Sequence, residues 1–368
     1  MSEQACGDGV NAPTRPLWYE DAPSPSYTSG PVERAGVCVV GAGIAGLTTA
    51  YLLANAGREV VVVDERPVGQ GQTGRTSAHL SSVLDDRFAH LESVHGLETT
   101  RIHYESHAAA IDRVERIARD EGIECDFERI DGMLFPGSVD EAELEKEFEA
   151  ARRVGVHGVE HARAAPSRGG IERACLRFPN QARFHPLRYL SGLTEALARK
   201  GVRFQIGTRV EKLSGDGPVE ARLVNGSIIA ADHAVAATNV PAPINWTGVY
   251  TKTAPYRTYV VAVEMPQGAF HDALWWDMED PYHYVRLHRT SAAMTYSVPR
   301  CGPLMTTSLH RRRLTVAGLT SRWMRVPVRC SMRSRCYHGA ARRGLRRSAQ
   351  VCVTPIDPRH APRVRCAE

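Results

Sequence analysis

A chain of 368 residues with 43% hydrophobic and 24% charged side chains has room for two or three domains and is too apolar to be disordered throughout. Its net charge of +5 averages two unlike pieces. Residues 289–368 hold seventeen Arg, no Lys and two acids, Asp357 and Glu368, a net of +15 that leaves −10 on residues 1–288. A uniformly basic, nucleic-acid-binding chain is excluded, and the two parts have to be taken separately.

Residues 1–34 read as an extension. Pro13, Pro16, Pro23 and Pro25 interrupt it and it has no apolar signal core, so a cytoplasmic location is expected. Before residue 289 the cysteines are Cys6, Cys38, Cys125 and Cys175, without CxxC spacing, and a chain this long needs no disulfide scaffold. Ala35–Gly57 carries no charge and is long enough to span a bilayer. Glycines at 36, 41, 43, 46 and 57, and the apolar run Val60–Val63 just beyond, fit a strand, a turn, a helix and a second strand better, so no membrane association is expected.

Val37–Val40 is a continuous apolar run, as in a strand buried on both faces. Gly41-Ala42-Gly43-Ile44-Ala45-Gly46 follows, then a helix over Leu47–Asn55 with Gly57 as its C′ residue, and a strand over Glu59–Val63 that ends at Asp64. In such a unit Gly41 makes the tight turn, Gly43 lets the backbone approach a pyrophosphate and Gly46 lets helix and strand pack closely. The helix N-terminus offers free N–H groups and a positive dipole end, and Asp64 can accept ribose hydroxyls. With that context the glycines point to an adenine dinucleotide, without choosing between FAD and NAD.

The next segment, Val68–Leu80, holds three glycines, hydroxyl and amide side chains and Arg75. It reads as either a solvated loop or, directly after the second strand of a nucleotide fold, a donor-rich loop for a second phosphate or a ring edge. A helix with Ile111, Val114 and Ile117 on its apolar face carries His103 and His107 at i, i+4; without a third ligand this is a surface pair, and no metal site is expected. Residues 139–153, with Glu141, Glu143, Glu145, Glu147 and Glu149 behind a Ser138-x-x-Glu141 capping box, predict a helix with a solvated acidic face. Pro186–Lys200, closed by Gly201, predicts another helix. Strands are expected at Val202–Ile206, Thr208–Leu213, Val219–Val224 and Ser227–Ala231 around an Asn225-Gly226 turn, and His233–Ala237.

Together with further motifs this set resembles the D-amino-acid-oxidase-like superfamily of FAD-dependent oxidoreductases, which includes glycine, sarcosine and gamma-glutamylputrescine oxidases, and within it the bacterial branch often fused to a Rieske domain. The matching residues are Leu17-Trp18-Tyr19-Glu20, Val39–Gly46, Gly71–Leu80, Phe178-Pro179-Asn180-Gln181, Phe184-His185-Pro186, Ala237-Thr238-Asn239, Ala254–Tyr259 and Asp280–Tyr284. The resemblance covers about residues 17–288. It implies an α/β fold in which a Rossmann-type FAD-binding domain (about 35–125 and 186–245) is interleaved with an antiparallel-sheet substrate domain (about 126–185 and 246–288). It also implies FAD held by Gly41, Ala42, Gly43, Ile44, Ala45, Gly46, Asp64, Glu65, Arg75, Thr76, Ser77, Ala78, Val210 and Thr238. Asp64 stands where the family usually has Glu. The implied reaction is oxidation of a C–N bond in an amine or amino-acid-like substrate, with oxygen or another electron acceptor. Phe184–Leu190 and Tyr256–Glu264 would line the substrate side; Arg257, Tyr259 and His79 are the candidates near the chemistry, and no catalytic triad is implied.

After Leu287 the pattern breaks off. Leu, Ile, Val and Phe number 13 of the last 80 residues, and an unstructured basic tail is expected over 289–368. Cys336-Tyr337-His338 imitates half a Rieske motif, but Cys352 has no matching His. A basic nucleic-acid-binding arm and a shifted reading frame are the two readings of the tail; the frame shift is favoured, and nucleic acid is not expected as a partner. Other readings of the whole are an NAD-dependent dehydrogenase and an inactive flavoprotein fragment.

Overall fold

The computed structural model describes residues 16–22, 25, 27–215, 217–239, 258–264, 268–280, 282–288, 293–299 and 349–353. In chain order the strands are β1 (Arg34–Val40), β2 (Val60–Asp64), β3 (His79–Leu80), β4 (Glu128–Phe135), β5 (Glu160–Ala164), β6 (Arg173–Arg183), β7 (Arg203–Ile206) and β8 (Val210–Ser214). They continue with β9 (Val219–Leu223), β10 (Ile228–Ala236), β11 (Thr258–Glu264), β12 (Leu274–Asp277), β13 (Tyr284–His288), β14 (Ala293–Pro299) and β15 (Ala349–Val353). The helices are α1 (Trp18–Asp21), α2 (Ile44–Asn55), α3 (Phe88–His95), α4 (Leu97–Asp120), α5 (Glu141–Val154) and α6 (Pro186–Arg199).

One sheet has the order β7-β2-β1-β10-β9-β8; its first four strands are parallel and β8, β9 and β10 form an antiparallel meander. Within β1 and β2 the runs Val37–Val40 and Val60–Val63 are apolar at every position because both faces are covered. Val37, Val39, Val60 and Val62 share a core with Leu47, Leu187, Leu190 and Leu197 of α2 and α6. Cys38, Val40, Val61 and Val63 share the opposite core with Val210, Ala221, Leu223 and Ile229. Both helices end in a Schellman motif: Gly57 (φ +74°) donates to Ala54 and Arg58 to Leu53, while Gly201 (φ +80°) donates to Ala198 and Val202 to Leu197. At the other end of α6, Pro186 fills the first turn and the His185 side chain accepts from the Arg188 N–H.

A second sheet has the order β15-β11-β14-β13-β12-β4-β6-β3, with β5 also on β6; β12 and β4 are parallel, the other pairs antiparallel. Its cores are Phe88, Leu144, Ala151 and Val154 over Leu134, Leu176 and Phe178 on one side, and Phe135, Cys175, Trp275 and Val285 on the other. The chain leaves the first sheet after β2, builds β3–β6 of the second, returns through α6 for β7–β10, and crosses again for β11, so the two layers are interleaved. Among the described residues no helix is long and apolar enough to cross a membrane; the uncharged stretch Ala35–Gly57 is β1, a glycine turn and α2. Of the expected tail, β14 and β15 are described and pair as antiparallel partners of β11; residues 300–348 and 354–368 lie outside the described residues.

Three local expectations are corrected. Ser227–Ala231 and His233–Ala237 are one strand, β10, because residues 228–231 pair with β9 on one edge while 230–236 pair with β1 on the other. The cap of α5 is Asp140, whose carboxylate accepts from the Ala142 N–H, and not Ser138. Glu147 is not solvated: it is fully buried, and its two carboxylate oxygens accept from the Phe88 and Ala89 N–H groups at 2.8 and 3.0 Å. A glutamate of α5 thus satisfies the orphan donors at the start of α3. Burial is the largest influence on its pKa and pushes it up.

Candidate cofactor site

The C-terminal ends of β1 and β2 open onto the turn that starts α2. Gly41 has φ +118°, and a Cβ there would lie 2.4 Å from the Ala237 carbonyl; one on Gly46 would lie 1.8 Å from the Gly41 carbonyl. Both positions require glycine. Gly43 is the N-cap of α2 and Ala45 is exposed on its first turn. The N–H of Ala42 donates to Asp64 Oδ2 at 2.7 Å and that of Ile44 to Thr73 Oγ1 at 3.1 Å. Asp64 also accepts from the Arg66 N–H at 2.8 Å, and its backbone carbonyl accepts from Gly207 and Thr208. That last contact brings Val210, two residues on, to the same end of the sheet, with its side chain in the core and its backbone in β8. Thr238 follows β10 next to Gly41. Glu65 is exposed, with Arg66 at 3.5 Å.

Residues 69–78 fold back over this turn. Gly74 is packed so tightly that a Cβ would meet the Gly69 carbonyl at 2.2 Å and the Tyr19 hydroxyl at 2.6 Å. Thr73–Arg75 is a single 3₁₀ turn, so Arg75, Thr76, Ser77 and Ala78 run from the nucleotide sheet toward β3 of the second sheet. Ala78 has φ +57°, unusual for a residue with a side chain, and its N–H donates to Thr76 Oγ1 at 3.1 Å. His79 lies beside Ser77 Oγ at 3.2 Å and edge-on to Tyr284, ring centroids 4.9 Å apart. Burial, and next the charge of Arg286, pull its pKa down to about 3, so it is a neutral imidazole near pH 7. Its Nε2 is buried without a hydrogen-bond partner among the described residues.

Sequence reasoning missed the residues that hold this loop from behind. Trp18 Nε1 donates to the Thr76 carbonyl at 2.7 Å, and the Tyr19 hydroxyl to that of Gly69 at 3.2 Å. Arg286, 2% exposed, donates to the Ser77 and Ala78 carbonyls at 3.2 and 2.6 Å. The signal was present: a lone Arg inside the apolar strand Tyr284–His288 has to find buried acceptors. Beside Arg286 is a cavity of about 260 Å³ lined by Asp126, Phe127, Glu128, Arg183, Phe184, His185, Arg286 and His288. Arg183, 4% exposed, pairs there with Glu128 at 2.6 Å and Asp272 at 2.8 Å.

The expected substrate-side run Phe184–Leu190 divides. Phe184 and His185 line the cavity, whereas Leu187 and Leu190 are in the nucleotide-side core. His107 is exposed on α4, and His103 faces His95 with centroids 6.1 Å apart. Among the described residues the acidic and histidine group that does converge is Asp277, Glu279 and His283, where Asp277 accepts from the backbone of both others and lies 2.8 Å from His283 Nδ1, a turn clamp between β12 and β13. Arg257 lies outside the described residues. Tyr259 is described only through its backbone, paired with Val298 and Val353.

The groups at the α2 turn fit FAD: a close-packed glycine turn, a helix N-terminus and an acceptor at the end of β2 are the parts a dinucleotide needs. The family model described as FAD dependent oxidoreductase matches residues 36–324, reaching 36 residues past the break at 288. A Bacillus subtilis protein named as a Rieske 2Fe-2S iron-sulfur protein, YhfW, is 27% identical over 265 residues, 71% of this chain and 49% of that protein. Gamma-glutamylputrescine oxidoreductase of Escherichia coli is 28% identical over 204 residues, 53% of this chain and 46% of that protein. The chain thus spans about half the length of these curated relatives. Among solved structures, L-proline dehydrogenase from P. horikoshii shares the fold with a TM-score of 0.58 at 17% identity, covering 74% of this chain and 72% of that one. Glycine oxidase from Geobacillus kaustophilus does so with a TM-score of 0.58 at 16% identity, covering 76% and 77%. With a family match over most of its length and a glycine turn built to the family's requirements, this chain belongs to the DAO family of FAD-dependent oxidoreductases.

Proposed function

We propose that the chain oxidises the C–N bond of a small amine or amino-acid-like substrate. The observation that carries this reading is the path of residues 69–80, which starts at the dinucleotide turn and ends as a strand of the second sheet beside the cavity. The names of the relatives support the substrate class: one is named for gamma-glutamylputrescine, and the solved structures for L-proline, glycine and L-amino acids. When bound, FAD supplies the redox chemistry by accepting a hydride from the carbon bearing nitrogen. The protein's part is placement. Gly41, Ala42, Gly43, Ile44, Ala45 and Gly46 would offer backbone to the pyrophosphate, Asp64 and Glu65 would face the adenosine ribose, and Val210 would meet the adenine through its backbone. Arg75, Thr76, Ser77, Ala78 and Thr238 would flank the rest of the cofactor. Arg257 and Tyr259 are assigned to the substrate side.

The test is the visible spectrum of the purified chain before and after denaturation, followed by anaerobic reduction with a panel of amines, amino acids and 2-hydroxy acids. A flavin spectrum with FAD released on denaturation, and bleaching by amines or amino acids alone, is the expected result. A colourless chain that FAD does not reconstitute, or one bleached only by hydroxy acids, sinks the reading.

A second reading concerns the Arg-rich stretch, and the abrupt change of composition favours it. In another frame, the coding DNA after about codon 288 is expected to encode further strands and a Gly-rich turn; early stops in both alternative frames would dispose of that idea.

A further inference from the structure

Three successive carbonyls of the loop are bound by two buried side chains that lie against each other. Trp18 takes Thr76, and Arg286 takes Ser77 and Ala78. The Arg286 guanidinium also reaches the Phe184 carbonyl at 3.4 Å and, through Nε, the Leu287 carbonyl at 3.2 Å. It lies 5.4 Å from the Trp18 ring, which is itself 3% exposed and edge-on to His185 and His288 at 5.0 and 5.1 Å.

Among the described residues every hydrogen bond of Arg286 goes to a carbonyl, and Asp272 and Asp126 act on it only through their charge. The contrast with Arg183 is informative, because that equally buried guanidinium has Glu128 and Asp272. An apolar side chain of similar volume fills space as well as a buried arginine does, without the desolvation penalty. What it cannot do is gather carbonyls from three segments at once, which the planar fork of donors does. Ala78, held at φ +57°, is the residue in that loop whose backbone needs such support.

We propose that Arg286 and Trp18 act jointly as positioning residues that fix Thr76–Ala78 in the shape required by FAD. The proposal rests on the assignment of that loop to the cofactor. Neither residue is assigned contact with substrate.

The test uses the full chain and the variants Arg286→Met, Arg286→Lys, Trp18→Phe and the double variant. FAD affinity is read by flavin fluorescence, the flavin absorption bands are recorded, and amide exchange over residues 76–80 is followed with and without FAD. Arg286→Met is expected to weaken FAD binding about tenfold or more, to shift the flavin bands and to speed exchange at 76–80; Arg286→Lys recovers part of each. Trp18→Phe keeps the ring and loses one donor, with a smaller effect, and the double variant falls short of the product of the singles. Unchanged affinity, bands and exchange in a folded Arg286→Met protein overturn the proposal. If that variant does not fold, unchanged values in Trp18→Phe overturn it. If the unaltered chain binds no FAD, the cofactor reading fails, and loop exchange in the ligand-free variants still decides the positioning role.

Discussion

Gly46→Val is expected to abolish FAD binding and to cost about 3 kcal/mol or more of stability. The Gly46 Cβ position is 1.8 Å from the Gly41 carbonyl, inside any permitted contact, and the atom in the way is backbone rather than a side chain that can turn aside. A side chain there must push α2 off β1, which opens the turn that presents Gly41–Ile44 to the cofactor and disturbs the packing of Leu47 on the sheet. Gly71→Ala is the control within the same region: nothing lies within 4 Å of its Cβ position and it has no positive φ, so a change within about 0.5 kcal/mol is expected. Urea melts and FAD titrations of the two proteins provide the comparison. A Gly46→Val protein with unaltered midpoint and affinity would contradict the packing described here.

The second large effect is a loss of stability in mild acid that His79→Leu removes. Burial and the Arg286 charge hold the His79 pKa at about 3, below its ordinary value of 6.5. Between those values the unfolded chain binds a proton that the folded chain does not, so stability falls as pH drops below about 6.5 and keeps falling toward 3. By pH 4.5 the difference amounts to about 2–3 kcal/mol at about 1.36 kcal/mol per unit. The measurement is the urea midpoint of both proteins from pH 7.5 to 4.5. The Leu variant should show a flatter acid limb, and parallel curves would show that the imidazole is not held neutral by the fold.

The nucleotide unit was legible because its requirements are local. A glycine whose Cβ position falls 1.8 Å from the carbonyl five residues earlier writes itself into the sequence, as do the helix stops at Gly57 and Gly201. The partnerships that span sequence were not legible. Glu147 reads as one of five alternate glutamates on a solvated face until α3, 59 residues earlier, is seen to start on it. Arg286 binds Ala78 across 208 residues. Periodicity gives the face of a helix or strand, but not the element it meets, and so the loop from Thr73 to Ala78 could be assigned to a ligand while the side chains that hold it stayed unassigned. The break assumed within β10 failed for a related reason: two short runs with different partners form one strand when those partners lie on opposite edges.

The pairing of β1 with β10 has a consequence for synthesis. Arg34 is matched with Ala230, 196 positions further along, and Val61 with Arg203 in β7. When β1 and β2 leave the ribosome, only each other's edges are available; the outer edge of β1 has no partner until β3–β6 of the second sheet and then β7–β10 have been made. Two consecutive strands as apolar as Val37–Val40 and Val60–Val63 therefore wait exposed, with open hydrogen-bonding groups, for some 10–40 s at ordinary elongation rates of about 5–20 residues per second. Such a topology folds slowly and late, and nascent chains are vulnerable to pairing with one another in that interval. Soluble yield should therefore depend on growth temperature and chaperone supply, independently of how stable the finished fold is.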